Sequence, residues 1–326
     1  MIMFGTHAPS PDALRAIRDA RESDYADPPL EGALSPRRTG LAPIRLEASV
    51  SHQWPPRDQF GRGTCVAFAT LAAVELHRAL RDDMPPERLS EQFLHERMIK
   101  AHKLSASEAE SLPEGGVLLR QALKALEQDG VIGSDHAPYR PIAVEVSRSD
   151  DEDASELLAL GNRITSRAYG TIGAPEDLDP ERIDPIQPGQ QTAQKILDFL
   201  KQGLPVAIGV PLFQHSSGLT NWVLPATMRS GIVLCPDDAQ PPPLTGPRAD
   251  GHVVCITGFL PASSDPLGGW FVFRNSWGLE FGSHSVFDAG KPTAGLRGFG
   301  LISATHVNNY CWEYLVPIPD SASPLS

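Results

Sequence analysis

The spacing of apolar and polar positions divides the chain into a helical first half and a second half of short strands. Residues 65–81 are rich in Ala and Leu and contain no Gly or Pro, which predicts an α-helix. Residues 90–102 begin at a serine suited to an N-cap, and residues 117–128 end shortly before a glycine. The first half therefore predicts at least three helices.

The pattern changes after a further helical segment at residues 194–202. Short β-branched or aromatic runs, bounded by Gly, Pro, Asp and Ser, predict strands at residues 205–211, 231–235, 252–259 and 270–274. Helices followed by strands, without alternating βαβ units, indicate an α+β fold in two lobes. A site is expected in the cleft between the lobes.

Two segments lack sustained periodicity. Residues 1–43 are rich in Pro, Asp and Arg and contain one weakly amphipathic stretch at 12–21. Residues 141–190 contain an acidic run at 150–153 and predict loops with one helix at most; we interpret the run as a solvated face, because the glycine and spacing of an EF-hand are missing. The expected organisation is an N-terminal extension (1–45), a helical lobe with an acidic loop insertion (46–190), a β-rich lobe (191–318) and a tail (319–326).

Charge and hydropathy exclude two classes of partner. The 28 basic and 40 acidic residues give a formal charge of −12, the wrong sign for binding phosphates, so no nucleic acid is expected. The longest apolar runs are interrupted by Gly or Pro and fall short of the ~20 residues that cross a bilayer. Residues 1–19 lack the apolar core of a secretory signal. We expect a cytoplasmic protein with no membrane span, and export by a specialised apparatus stays open.

The four cysteines, Cys65, Cys235, Cys255 and Cys311, are too few and too dispersed for a disulfide framework. The sequence contains neither a C-x-x-C pair nor an H-E-x-x-H helix, so no metal or other cofactor is expected. The general expectation for each cysteine is a reduced, buried thiol.

Three segments contain residues with reactive or orienting side chains. Cys65 stands where a Gly-rich loop gives way to a helix, and a helix N-terminus lowers a thiol pKa. His252 begins an apolar strand, and Asn275 ends another strand just before Trp277. Taken singly, each residue fits a structural role as well as a functional one.

Taken together, the segments resemble the papain family of cysteine peptidases. The stretch from Gln59 to Ala69 resembles the family's Gln-x5-Cys-x-Ala-Phe-Ala segment, and residues 273–278 resemble its Asn-Ser-Trp-Gly segment. His252 precedes a Val-rich strand that ends in Gly-Phe, as in the family. Residues 89–92 resemble its Leu-Ser-Glu-Gln helix start, and residues 114–116 its substrate-binding Gly-Gly turn.

The resemblance implies a papain-like two-lobed fold and a peptidase that acts on a peptide or protein substrate. It implies Cys65 as nucleophile, His252 as general base and acid, Asn275 as the residue that orients the histidine, and Gln59 in the oxyanion hole. Acyl transfer through a thiol requires a nucleophile, a base that a third group orients, and hydrogen-bond donors to the oxyanion. The substrate-binding residues implied by the same resemblance are Gly115, Gly116, Val117, Leu118, Val253 and Trp277.

The sequence departs from the family pattern in several places. Thr64 and Val66 flank the nucleophile where the family usually has Ser and Trp, which predicts altered packing. Arg62 and Pro113 replace a disulfide of secreted members, which fits a reducing compartment. The separation of Cys65 and His252 exceeds the usual roughly 130–150 residues, which indicates long loops.

Two other functions are compatible with this sequence. The same residues could pass the acyl group to an acceptor other than water, as a transferase, ligase or deamidase does. A binding protein on an inactive scaffold is the second alternative.

Overall fold

A computed structural model describes residues 3–4, 42–50, 54–101, 117–141, 151–173, 178–238, 241–248, 250–262, 265, 267–283 and 297–319. The helices within these ranges are α1 (Cys65–Asp82), α2 (Glu91–Ala101), α3 (Leu119–Gln128), α4 (Asp151–Leu160), α5 (Thr192–Lys201), α6 (Pro225–Ser230) and α7 (Ala304–Tyr310). The strands are β1 (Met3–Phe4), β2 (Ile44–Arg45), β3 (Ile164–Thr171), β4 (Asp184–Pro185), β5 (Val206–Pro211), β6 (Gln214–His215), β7 (Ile232–Val233), β8 (Leu244–Thr245), β9 (Asp250–Pro261), β10 (Gly269–Arg274), β11 (Phe299–Ser303) and β12 (Glu313–Pro319).

The four predicted helices at 65–81, 90–102, 117–128 and 194–202 correspond to α1, α2, α3 and α5. The predicted strands correspond to β5, β7, β9 and β10, and β9 extends two residues further at each end. The stretch at 12–21 and the Gly-Gly turn lie outside the described residues.

One segment differs from the prediction. Residues 141–190 were expected to form loops with one helix at most, but they contain helix α4 and the eight-residue strand β3. Strand β3 pairs along its length with β12, which begins at Glu313, far from β3 in the sequence. Its own sequence has a weak strand pattern, so the distant partner determines its conformation.

The main sheet is mixed, with the strand order β4-β3-β12-β5-β9-β10-β11-β7, and β1 and β2 also pair with β9. Strand β9 lies antiparallel between β5 and β10. Arg274, the last residue of β10, is the register partner of Cys255 on β9. The antiparallel register therefore brings the start of β9, with His252, near the end of β10, where Asn275 follows.

Helices cover both faces of this sheet. Val253 and Cys255 of β9 pack in the core formed with α1, α2 and α3. The alternate residues Val254 and Ile256 pack in the core that contains α5 and α7 residues. Because successive side chains of a strand point to opposite faces, β9 is buried along most of its length.

Helices and a mixed sheet in this arrangement form a two-lobed α+β fold. The lobe boundaries that the sequence suggested stay predictions. Among the described helices, none has the length and apolarity that a transmembrane helix needs.

Candidate active site

Cys65 is the first residue of α1 and is fully buried. The backbone N–H groups of Val253, Val66 and Cys65 itself lie close to the thiol and favour its thiolate. Burial outweighs them and raises the pKa of Cys65 to about 12. The buried thiol is therefore protonated, whereas its position at a helix start had suggested a lowered pKa.

His252 and Asn275 are in direct contact. The His252 Nε2 and Asn275 Oδ1 atoms are 2.8 Å apart. The backbone N–H of Ser276 also donates to Asn275 Oδ1, at 2.8 Å, which identifies this amide atom as the oxygen. Nε2 then carries the imidazole proton, and Nδ1 keeps its lone pair. Nδ1 has no hydrogen-bond partner within the described residues.

Two tryptophan rings pack against the His252 ring. The ring centroid of Trp277 lies 4.8 Å from that of His252 at an interplanar angle of 35°. Trp222 approaches the same ring edge-on, also at 4.8 Å. This fully buried environment lowers the pKa of His252 to about 4, although the Asn275 hydrogen bond favours the protonated form. The histidine is therefore neutral at pH 7.

Gln59 is buried in the loop before α1, and hydrogen bonds connect this loop to the segment that follows β10. The Gln59 backbone N–H donates to the Ser276 carbonyl at 2.8 Å, and the Ser276 hydroxyl donates to Gln59 Oε1 at 2.5 Å. Gln59 Nε2 donates to the Arg62 carbonyl at 2.6 Å. An amide nitrogen has two protons, so one N–H remains for another acceptor.

The structure describes four of the six residues that the resemblance implies for substrate binding. Val117 and Val253 are buried in the same apolar core as Cys65, and Leu118 is partly buried against it. Trp277 is buried on His252 as described above. Gly115 and Gly116 lie outside the described residues.

Sequence reasoning missed Trp222 and a charged network behind the site. The Arg57 Nη2 atom lies 2.5 Å from Glu75 on α1, and its Nε atom lies 2.7 Å from Glu91 on α2. Arg274, which precedes Asn275, stacks 3.8 Å from the ring centroid of Trp54 and lies 3.6 Å from Glu75. The network joins α1 to the end of β10, and no local sequence pattern signals contacts of this range.

The cysteines are free thiols, all four of them buried. Cys255 lies in the same apolar core as Cys65. Within the described residues, one group of His, Cys and carboxylate side chains is close enough to hold a metal ion, and it consists of Cys235, Asp238 and His306. None of these three belongs to the site around Cys65.

Solved structures of cysteine proteases have a similar fold. Xylellain, a cysteine protease from Xylella fastidiosa, superposes with a TM-score of 0.52 at 16% identity over 97% of each chain. Digestive procathepsin L 3 of Tenebrio molitor superposes with a TM-score of 0.50 at 15% identity over 96% of this chain and 83% of its own. A scan against protein-family models finds no match, and a search of curated proteins finds none either. The protein therefore has a papain-like fold, as the sequence resemblance implied.

Proposed function

We propose that the protein is a cysteine peptidase that cleaves peptide bonds through a thioester at Cys65. The observation that carries the proposal is the 2.8 Å contact of His252 Nε2 with Asn275, which leaves the unpartnered Nδ1 as a base. Cys65 lies at the start of α1 beside the backbone of Val253, the residue that follows His252. A thiol, a base and an orienting amide are the groups that this chemistry requires.

In the proposed reaction, His252 Nδ1 accepts the thiol proton while Cys65 Sγ attacks the substrate carbonyl carbon. The Cys65 backbone N–H and the Gln59 amide stabilise the oxyanion. His252 then gives its proton to the leaving amine as the C–N bond breaks, and a thioester remains. Water, deprotonated by His252, attacks the thioester, releases the acid and restores the thiol.

The reaction requires a change from the closed conformation. Cys65 and His252 are each fully buried, and burial favours their neutral forms. The backbone of β1 pairs with Asp250 and Gly251, directly before His252, and occupies space beside the site. We infer that substrate entry separates these surfaces and admits water. The N–H groups around the sulfur can then stabilise the thiolate with a smaller desolvation penalty.

The proposed substrate lies along Gly115 and Gly116, where glycine lets the substrate backbone approach. Val117, Leu118 and Val253 would border the side chain two residues before the cleaved bond, which favours Leu, Val or Phe over charged residues. A peptide library that varies this position measures the preference. A charged optimum would refute the apolar pocket.

Labelling with a peptidyl epoxide, followed by mass-spectrometric mapping, tests the central proposal. We expect modification at Cys65 and loss of label in Cys65→Ser, with Cys311→Ser as the matched control. Products formed with and without added amines distinguish hydrolysis from acyl transfer. Labelling of another cysteine, or turnover that survives Cys65→Ser, would rule out the assignment.

A further inference from the structure

A second cysteine–histidine group lies apart from the residues assigned to catalysis. Cys235 and Asp238 follow the edge strand β7, and His306 lies in the first turn of α7. The Cys235 sulfur, a carboxylate oxygen of Asp238 and a ring nitrogen of His306 all lie within 4.8 Å of one another. We call these three residues the Cys235 cluster.

His306 is fully buried, and neither ring nitrogen has a hydrogen-bond partner of ordinary geometry among the described residues. An unpartnered polar group in the interior costs about 1–3 kcal/mol, so such groups call for an explanation. The backbone carbonyl of Val233 lies close to the His306 ring. A carbonyl on one ring nitrogen is the usual arrangement around a histidine whose other nitrogen binds a metal.

Carboxylate groups lie close to the Cys235 sulfur. An Asp238 carboxylate oxygen is within 4.8 Å of it, and the Cys235 backbone N–H donates to Asp238 Oδ2 at 2.7 Å. A dication bound between these groups would favour the thiolate and the ionised carboxylate together.

We propose that Cys235, Asp238 and His306 form a structural zinc site. Thiolate and imidazole ligands with one carboxylate suit zinc, whereas calcium and magnesium take oxygen ligands. Zinc bonds of about 2.0–2.3 Å in a tetrahedron place ligand atoms roughly 3.3–3.8 Å apart, so the cluster has to contract by at most about 1.5 Å. A water molecule would take the fourth position, because the exposed Asp237 carboxylate, which accepts from Asn309 Nδ2 at 2.8 Å, is not one of the three grouped ligands.

The proposed ion would add a link between the segment after β7 and helix α7, which already meet through the Asn309–Asp237 hydrogen bond. Strand β7 contributes two residues at the end of the main sheet, paired with β11. Helix α7 follows β11 directly and contains His306. Zinc held by both segments would stabilise the folded chain, because the unfolded chain does not present the three ligands together.

Zinc and cobalt titrations of the full-length Cys65→Ser protein test the proposal, since this background removes the other candidate metal-reactive thiol. After chelator treatment, we expect the protein to bind one equivalent of zinc in competition with a chromophoric chelator. Cobalt should give a thiolate-to-metal charge-transfer band. Adding Cys235→Ser should abolish that band and weaken zinc binding by about 10-fold or more, and Asp238→Asn should weaken it similarly.

Cys311→Ser is the matched control, because it also removes a buried free thiol but lies outside the cluster. Unchanged zinc binding in Cys235→Ser, or equal loss in Cys311→Ser, would overturn the proposal. If Cys235→Ser does not fold, the Cys65→Ser background alone decides the question. No stoichiometric zinc binding there, or cobalt binding without a thiolate band, would also overturn it.

Discussion

Two fully buried cysteines of this molecule, Cys65 and Cys235, differ in the charged groups around them. The Cys65 sulfur is near the backbone N–H groups of Val253 and Val66, and the partner of His252 is the neutral amide of Asn275. The Cys235 sulfur also has a backbone N–H close to it, that of Asp237, but it lies near the carboxylates of Asp238 and Asp237 as well. We call Cys65, His252 and Asn275 the Cys65 cluster.

Neighbouring dipoles and charges, more than the residue types, therefore decide what a cysteine and a histidine can do. Donors around a sulfur stabilise a thiolate once water is admitted, and an amide fixes the tautomer of the base without adding charge. Carboxylates around a sulfur oppose the free thiolate and favour a bound cation. The Cys65 cluster thus suits nucleophilic chemistry, and the Cys235 cluster suits metal binding.

The largest expected difference between the clusters is in turnover. Cys65→Ala should reduce kcat on a peptide substrate by on the order of 10⁴-fold or more, because it removes the proposed nucleophile. Cys235→Ala should keep kcat within a few-fold if it folds. Steady-state kinetics with circular dichroism of both variants makes the comparison. Equal losses in two folded variants would contradict the assignment of roles.

The next effect concerns Gln59, the proposed oxyanion donor, which has no counterpart among the three residues of the Cys235 cluster. Gln59→Ala should lower kcat by on the order of 10²–10³-fold. Gln59→Glu keeps the size of the side chain and an acceptor for the Ser276 hydroxyl, but it removes the N–H donor. We therefore expect Gln59→Glu to be similarly impaired. Full activity in either variant would mean that Gln59 donates no hydrogen bond to the transition state.

Thiol reactivity should also separate the clusters. At pH 6 with a chelator present, Cys65 should be alkylated on the order of 10²-fold faster than Cys235, because opening admits water to a sulfur that already lies near N–H donors, while Cys235 stays near carboxylates. Timed labelling with iodoacetamide and peptide mapping gives both rates. All four cysteines reacting at one rate would remove this distinction.

The smallest effect is one that the two clusters should share. Burial lowers the pKa of His252 to about 4 and of His306 to about 3, from 6.5. The unfolded chain therefore binds protons that the folded chain does not, and folding stability is lost as the pH falls below 6.5. At pH 5 each histidine accounts for at most about 2 kcal/mol.

Urea unfolding at pH 7.5 and pH 5, with a chelator present, measures this loss. His252→Gln and His306→Gln should each lose less stability than the parent between the two pH values. Glu313 acts in the opposite direction, because burial raises its pKa to about 7, but it is present in all three proteins and cancels in the difference. An identical loss in all three would show that neither histidine is held neutral by the fold.

Much of the candidate site could be predicted because its signals are local. A cysteine at a helix start, a histidine at the start of an apolar strand and an asparagine at a strand end can each be identified from a short window of sequence. The six-residue separation of Gln59 and Cys65 is equally local. Strand β3 was not predictable in this way, because its strand conformation depends on pairing with β12.

Local patterns of residues were enough to predict the helix that begins at Cys65, the strand that contains His252 and the strand that precedes Asn275, and the motifs implied a papain-like fold. The burial of Cys65 and His252 could be seen only in the folded chain, and it reversed the expected direction of the thiol pKa shift. The packing of Trp222 on His252 and the convergence of Cys235, Asp238 and His306 could likewise be seen only there. Desolvation and long-range contacts depend on which distant segments pack together, and a local pattern of residues does not specify that packing.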